Sequence, residues 1–201
     1  ILTAASLSGF MGLKLNFDWL DFSTKSSAEE DALAPTGQCG ENVYWTFDKD
    51  TGVLTISGSG SMEDYLDDLS SPFSFILNIK NVIIENGITS IGNCAFGNCT
   101  GLTSITIPDS VTSIGNCAFS NCTRLTSITI PDSVTSIGGC AFDYCTGLKE
   151  LTMPCSAEFG WDPFSECTNI EKIILTKGIG GMYDYYDYDY DNYSFRYTPW
   201  Y

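Results

Sequence analysis

Fourteen consecutive residues of this chain occur twice without a change. The segment LTSITIPDSVTSIG covers residues 102–115 and returns at 125–138, an interval of 23 residues. The pattern continues at Leu148 with the same interval, is present one interval earlier at Ile79, and opens a shorter unit at Ile170. A unit of this length cannot bury its own apolar edge, so successive units must stack and share a continuous core. The repeat therefore predicts a solenoid over residues 78–175.

The first half of each unit predicts a short strand. Two apolar positions lie two residues apart, as expected when alternate side chains of a strand face the core. These positions are Val82, Ile105, Ile128, Leu151 and Ile173, followed by Ile84, Ile107, Ile130, Met153 and Leu175. A proline ends the strand in three units, because proline cannot donate to the strand ladder. These prolines are Pro108, Pro131 and Pro154.

The second half of each unit predicts another extended segment and a turn. Val111 and Ile114 fit a second short strand, which Gly115 closes at a corner. The motif CAFxxC comes next, and its spacing predicts a helical turn with Phe119 and Cys122 on one face. Each unit is therefore expected to have three sides.

The combined pattern L-x-x-I-x-I-P…V-x-x-I-G-x-x-A-F-x-x-C resembles the BspA-like class of leucine-rich repeats, a family of bacterial and protozoan surface proteins. The resemblance covers residues 78–175 and weakens in the fourth unit, where Asp162 and Pro163 replace the Cys-Ala pair. Phe164 and Cys167 keep their positions there. The resemblance implies a mainly β leucine-rich repeat stack with parallel strands, and adhesion to host matrix proteins or to other cells.

The repeats have related segments at both ends. Residues 41–57 alternate apolar and polar around Asp50-Thr51-Gly52, which predicts a β-hairpin cap within an N-terminal junction at 39–77. GSGSMEDY at 58–65 is similar to GIGGMYDY at 178–185. We therefore expect residues 176–201 to be a second junction that opens a further module of a longer protein. The insertion YDYDYDN at 186–192 predicts a solvated acidic loop or edge strand, with a calcium or glycan contact as the alternative.

The N-terminal segment is interpreted as a processing remnant and a linker. Residues 1–22 begin with the short apolar stretch ILTAASLSGFMG, which indicates either the remnant of an export signal or an edge segment of the fold. Residues 23–38 are small, polar and charged, and predict a linker. No later stretch is long enough to span a membrane. We expect a secreted or cell-surface protein with no membrane insertion in this chain.

Seven of the nine cysteines form two columns with the repeat spacing. Side chains in a stacked column point in parallel, which disfavours disulfides, and a straight column cannot surround zinc. We expect the column after the phenylalanines to be buried free thiols and the other column to lie nearer the surface. The two columns are Cys99, Cys122, Cys145 and Cys167, and Cys94, Cys117 and Cys140. Cys39 and Cys155 lie outside both columns and could either pair or remain thiols.

Charge and composition restrict the function. Nine Lys and Arg residues against 25 Asp and Glu residues give a net charge of −16, which would repel nucleic acids and anionic membranes. Histidine is absent, so the commonest general base and the commonest zinc ligand are both missing. We expect no enzymatic activity, no cofactor, no metal and no nucleic-acid partner.

The outward positions of the first strand form the candidate binding face. A stacked parallel sheet presents a long, regularly spaced surface to a partner. The expected partner is an extracellular protein or glycan. The candidate residues are Asn81, Ser104, Thr106, Ser127, Thr129, Glu150, Thr152 and Lys172. Two alternatives remain: Ser and Thr are there only as polar strand formers, and the repeats are a structural spacer within a longer surface protein.

Overall fold

The computed structural model describes residues 36–76, 78–176, 185–189 and 194–198. The predicted segment 1–22, most of the predicted linker and most of the second glycine-rich junction lie outside these residues. The described residues form fifteen strands and one short 3-10 turn at Pro72–Phe75.

Three antiparallel strands begin the described fold. They are β1 (Thr36–Gly40), β2 (Val43–Asp48) and β3 (Val53–Gly58). β2 and β3 pair from Val43↔Gly58 to Asp48↔Val53, which confirms the predicted hairpin. The turn contains Gly52 with φ of +75°, a conformation that glycine adopts without strain. β1 pairs with the outer edge of β2, so the last three residues of the predicted linker lie in a strand.

Ten further strands join β3 to form two stacked columns, which both begin in the cap. The first column consists of β3, β5 (Asn81–Ile84), β7 (Ser104–Thr106), β9 (Ser127–Thr129), β11 (Glu150–Pro154) and β13 (Lys172–Thr176). The second consists of β4 (Gly60–Ser61), β6 (Ile88–Ile91), β8 (Ser113–Ile114), β10 (Ser136–Ile137) and β12 (Glu158–Phe159). All paired neighbours within the two columns are parallel. Because β3 and β4 pair with β5 and β6, the cap supplies the first coil of the stack.

The last two described strands form a separate antiparallel pair. They are β14 (Tyr185–Asp189) and β15 (Ser194–Thr198). β14 contains most of the alternating Tyr-Asp insertion, so this part of the insertion is a strand and not a loop.

The inward positions of the two columns form the core. Most are almost completely buried, among them Val82, Ile128 and Leu151. Ile105 and Ile173 are only half-buried. β7 and β9 belong to different hydrogen-bonded sheets, so the first column is interrupted beside Ile105. The end position of β13 in this column leaves Ile173 with one stacking neighbour, Leu151.

The third side of each coil carries a column of phenylalanines. Consecutive rings are stacked, with centroids 5.2–5.4 Å apart and planes within 14° of parallel. The column consists of Phe73, Phe96, Phe119, Phe142 and Phe164, and Trp45 contacts Phe73 edge-on at 5.8 Å. The cap therefore continues the aromatic core as well as the strands.

The predicted helical turn after each second strand is wrong. Cys117 and Asn121 have φ of +53° and +59°, which a right-handed helix cannot contain. The N–H group of Phe119 donates to the carbonyl oxygen of Ala141 in the next coil, at 2.7 Å. Hydrogen bonds between coils alternate with local turn bonds, such as that from the Cys122 N–H group to the Phe119 carbonyl oxygen, and no helix forms. Phe119 and Cys122 both face the core as predicted.

The cysteines after the phenylalanines are buried free thiols, as predicted. Three of them donate to a phenylalanine carbonyl oxygen of the preceding coil, at 3.0–3.3 Å. In the other column Cys117 and Cys140 are half-buried, whereas Cys94 is only 8% exposed, contrary to expectation. Asp68 of the cap interacts with the Cys94 thiol, so the cap covers this end of the column. Cys39 is a buried thiol and not half of a disulfide.

Candidate binding surfaces

The predicted binding residues lie side by side on the outer face of the first column. Parallel pairing places Asn81 next to Ser104, and Glu150 between Ser127 and Lys172. The exposed members are Ser104, Thr106, Ser127, Thr129, Glu150 and Lys172, and the half-buried members are Asn81 and Thr152. We call this set the strand face.

Contacts within the strand face link neighbouring coils. The Ser104 hydroxyl donates to Asn81 Oδ1 at 3.1 Å. Lys172 Nζ lies 3.9 Å from Glu150 Oε1, and both side chains are more than half exposed. An exposed ion pair of this kind contributes little to stability. These polar side chains therefore remain available to a partner.

The strand face has two parts because of the interruption between β7 and β9. Ser104 and Thr106 continue the ladder from the cap, whereas Ser127 and Thr129 begin the ladder that runs to β13. The two verbatim copies of the repeat stand on opposite sides of this interruption.

A second surface, which the sequence did not predict, lies over the second column of strands. It is an open groove of about 450 Å³. Its floor contains Ser90, Ser113 and Ser136, which are aligned by parallel pairing, and Glu158 follows them in the same row. The signal in the sequence was the serine before the inward isoleucine in each VTSIG or ITSIG segment. We call this surface the serine groove.

One wall of the serine groove is a ladder of side chains that accept hydrogen bonds from the next coil. Asp64 Oδ1 accepts from the N–H of Asn93 at 2.8 Å. Asn93 Oδ1 accepts from the N–H of Asn116, and Asn116 Oδ1 accepts from the N–H of Gly139, both at 2.7 Å. The ladder ends at Gly139 because glycine has no side chain with which to continue it.

The coils approach closely beside this ladder. A Cβ atom on Gly115 would lie 2.5 Å from the backbone nitrogen of Asn93. Only glycine fits at that distance. This explains why a glycine precedes the asparagine in two successive units. The close approach brings each asparagine within hydrogen-bonding distance of the next backbone N–H.

The cysteine thiols of the stack have raised pKa values. Burial, with a smaller contribution from the negative charge of Asp68, raises the pKa of Cys99 to about 12. Burial also raises the pKa of the half-buried Cys117 and Cys140 thiols. A raised pKa keeps a thiol protonated and makes it a weak nucleophile. Within the described ranges, no group of three His, Cys, Asp or Glu side chains is arranged to hold a metal ion.

The stacked coils, with two parallel strands and a phenylalanine side in each full unit, define a leucine-rich repeat solenoid. The chain belongs to the BspA type leucine rich repeat family, whose repeat region matches residues 70–193 in six copies. This repeat family is generally non-catalytic. No curated protein matches the chain.

Two solved bacterial structures are similar to this fold. A leucine-rich repeat protein from Eubacterium ventriosum is 28% identical, with a TM-score of 0.56, over 72% of this chain and 44% of that protein. A leucine rich cell surface protein from Faecalibacterium prausnitzii is 27% identical, with a TM-score of 0.50, over 71% of this chain and 43% of that protein. The chain thus spans less than half the length of either protein.

Among the described residues, none of the helical structure is long and apolar enough to cross a membrane.

Proposed function

We propose that this protein is a non-enzymatic, secreted or cell-surface repeat protein that mediates adhesion by binding an extracellular protein through its strand face. The observation that carries the proposal is the strand face itself, where outward polar side chains lie in register on paired parallel strands on each side of the interruption, Asn81 beside Ser104 and Thr129 beside Thr152. Membership of the BspA type family and similarity to a leucine rich cell surface protein support this location and role.

The affinity of such a face comes from many weak contacts. Each outward Ser or Thr offers one hydroxyl group, which both donates and accepts hydrogen bonds. A partner must cover several coils before these contacts exceed the entropic cost of association. We therefore expect the partner to lie across the coils and to contact both parts of the strand face.

The first test is a binding screen of the purified chain against immobilised extracellular-matrix proteins. The double variant Thr106→Glu, Thr129→Glu places one negative charge on each part of the strand face. We expect it to weaken the binding of any matrix protein that the wild type captures by tenfold or more, about 1.4 kcal/mol or above. Surface plasmon resonance gives the two affinities.

A matched control separates the site from the added charge. Thr112→Glu, Thr135→Glu adds the same two charges at exposed positions of the same two coils, beside the second column of strands. If both double variants lose binding of the matrix protein equally, the strand face is not the binding site. If no matrix protein binds, the alternative is a structural spacer, whose effect depends on repeat number and not on these threonines.

A further inference from the structure

The serine groove presents donors whose directions are fixed by the fold. Asn93 and Asn116 each use Oδ1 to accept a backbone N–H from the next coil. This contact determines which side of each amide carries the oxygen, so the NH₂ group must lie on the other side. The side-chain hydrogen bonds of the described residues include none from either NH₂ group. Two oriented donors, one coil apart, are therefore left for a ligand.

The floor of the groove adds a second row of polar groups at the same interval. Ser90, Ser113 and Ser136 alternate with inward isoleucines, so their hydroxyl groups point out of the second column. Neighbouring parallel strands lie about 4.8 Å apart. The groove thus carries pairs of hydrogen-bonding groups that repeat about every 4.8 Å along the stack.

The charges of the groove select against an anionic ligand. Asp64 lies at one end and Glu158 at the other, and no lysine or arginine lines the space between them. The chain as a whole carries a net charge of −16. A sulfated or uronic-acid polymer would be repelled from this groove.

The repeat distance selects against an extended peptide. Side chains on one face of a strand recur every two residues, about 6.7 Å apart. The side chains of a peptide lying along the stack would therefore lose register with the rows of the groove, which are about 4.8 Å apart. The mismatch would appear within two coils. Each ring of a linear sugar chain adds a length close to the spacing between neighbouring coils, and each ring carries several hydroxyl groups.

We propose that the serine groove is a second binding site, separate from the strand face, which holds a neutral linear oligosaccharide of several rings. Asn93 and Asn116 donate to its hydroxyl oxygens, and the serines of the floor exchange hydrogen bonds with successive rings.

The test is isothermal titration calorimetry with three neutral hexasaccharides, which are β-1,4-linked glucose, β-1,4-linked mannose and β-1,3-linked glucose. The variant Asn93→Asp, Asn116→Asp keeps both Oδ1 acceptors and removes both NH₂ donors. Asp64 already makes the same backbone contact in this chain, so the ladder should survive the change. We expect at least one sugar to bind the wild type and to bind this variant about tenfold more weakly.

Two further variants serve as controls. Thr106→Glu, Thr129→Glu adds the same two charges on the strand face and should leave sugar binding unchanged. Ser113→Ala, Ser136→Ala removes two floor hydroxyls without adding charge and should also weaken binding. This serine variant still tests the proposal if the aspartate variant does not fold. Thermal unfolding shows whether each variant is folded.

Several outcomes would overturn the proposal. One is the absence of binding heat from all three sugars at about 10 mM. Another is equal binding by the wild type and by the two groove variants. Hyaluronan hexasaccharide binding as tightly as the neutral sugars would contradict the charge argument. A lysine-serine hexapeptide binding in their place would make the groove a peptide site. None of these outcomes bears on the matrix-protein screen, because that screen tests a different sheet.

Discussion

The cysteines that follow the phenylalanines illustrate what single residues contribute to this stack. Cys122, Cys145 and Cys167 each place Sγ within 3.3 Å of a phenylalanine carbonyl oxygen one coil away. They fill a small apolar space and at the same time provide a weak donor to a buried acceptor. Alanine could fill part of this space but could not donate. The column is thus a structural element of the core.

Ionisation of these buried thiols should destabilise the fold in alkali. The pKa of Cys99 rises from its ordinary value of 9.0 to about 12 in the folded state, chiefly through burial. A group whose folded pKa is raised stabilises the fold fully below the unfolded pKa and loses that contribution as pH rises toward the folded pKa. We expect the free energy of unfolding to fall between pH 9 and pH 12. Above pH 9, Cys99 alone contributes a slope of about 1.4 kcal/mol per pH unit.

Urea unfolding of the wild type and Cys99→Ala at a series of pH values between 8 and 11 measures this slope. Other groups also titrate in this range, so the informative quantity is the difference between the two proteins. Their stabilities should converge as pH rises. Parallel curves would mean that the Cys99 thiol ionises as readily in the folded state as in the unfolded one.

At the scale of elements, two strands of identical sequence differ in their surroundings. β7 and β9 both read SIT, and both come from the verbatim repeat. Ile128 in β9 is 3% exposed, whereas Ile105 in β7 is half-buried. β9 pairs with β11 and β7 pairs with β5, but they do not pair with each other. Identical local sequence therefore does not produce identical packing.

This difference predicts unequal effects from the same substitution. Ile128→Asp buries an unpaired charge and should cost about 4 kcal/mol or more, enough to unfold the stack. Ile105→Asp should cost less, because the partial exposure of this position lets the carboxylate reach water. Circular dichroism during urea unfolding measures both variants, with Ser104→Asp as an exposed control. Equal losses at the two isoleucines would contradict the interruption between β7 and β9.

At the scale of the whole molecule, the fold is a stack in which each coil contacts chiefly its neighbours. The phenylalanine column continues from Phe73 in the cap to Phe164 without a gap. The cap strands β3 and β4 pair with the next coil in the same parallel arrangement as the later coils. Stability in such a stack is approximately the sum of the coils and the interfaces between them.

A change in coil number should therefore alter stability without altering the fold. Deletion of residues 102–124 removes one whole unit and joins Gly101 to Leu125, the equivalent of Leu102. We expect this shorter chain to fold with a lower midpoint of urea unfolding, and a chain with these residues duplicated to fold with a higher midpoint. Circular dichroism of both chains beside the wild type tests this. A deletion of 20 residues from the same unit, which breaks the register, is the control and should not fold. Failure of both in-register chains to fold would show that the coils are not interchangeable.

The features that follow from local repetition were predicted from the sequence. The 23-residue period determined the stack, the inward columns and the outward strand face, because a short unit with two apolar edges has no other way to bury them. The hairpin around Gly52 was equally local and was predicted correctly. Whether the strand face binds a partner is a prediction that neither the fold nor the period tests.

Other features depended on the tertiary structure. Helical spacing in CAFxxC predicted a helical turn, but the positive φ of Cys117 and the hydrogen bonds to the next coil replaced it. The burial of Cys94 depends on Asp68 of the cap, which no local pattern places beside it. The orientation of the Asn93 and Asn116 amides beside the serine groove depends on the close approach of neighbouring coils at Gly115 and Gly138. The sequence by itself determined which residues face the core, since that follows from periodicity. The structure decided what lies between the coils, since this depends on contacts 22 or 23 residues apart in the chain.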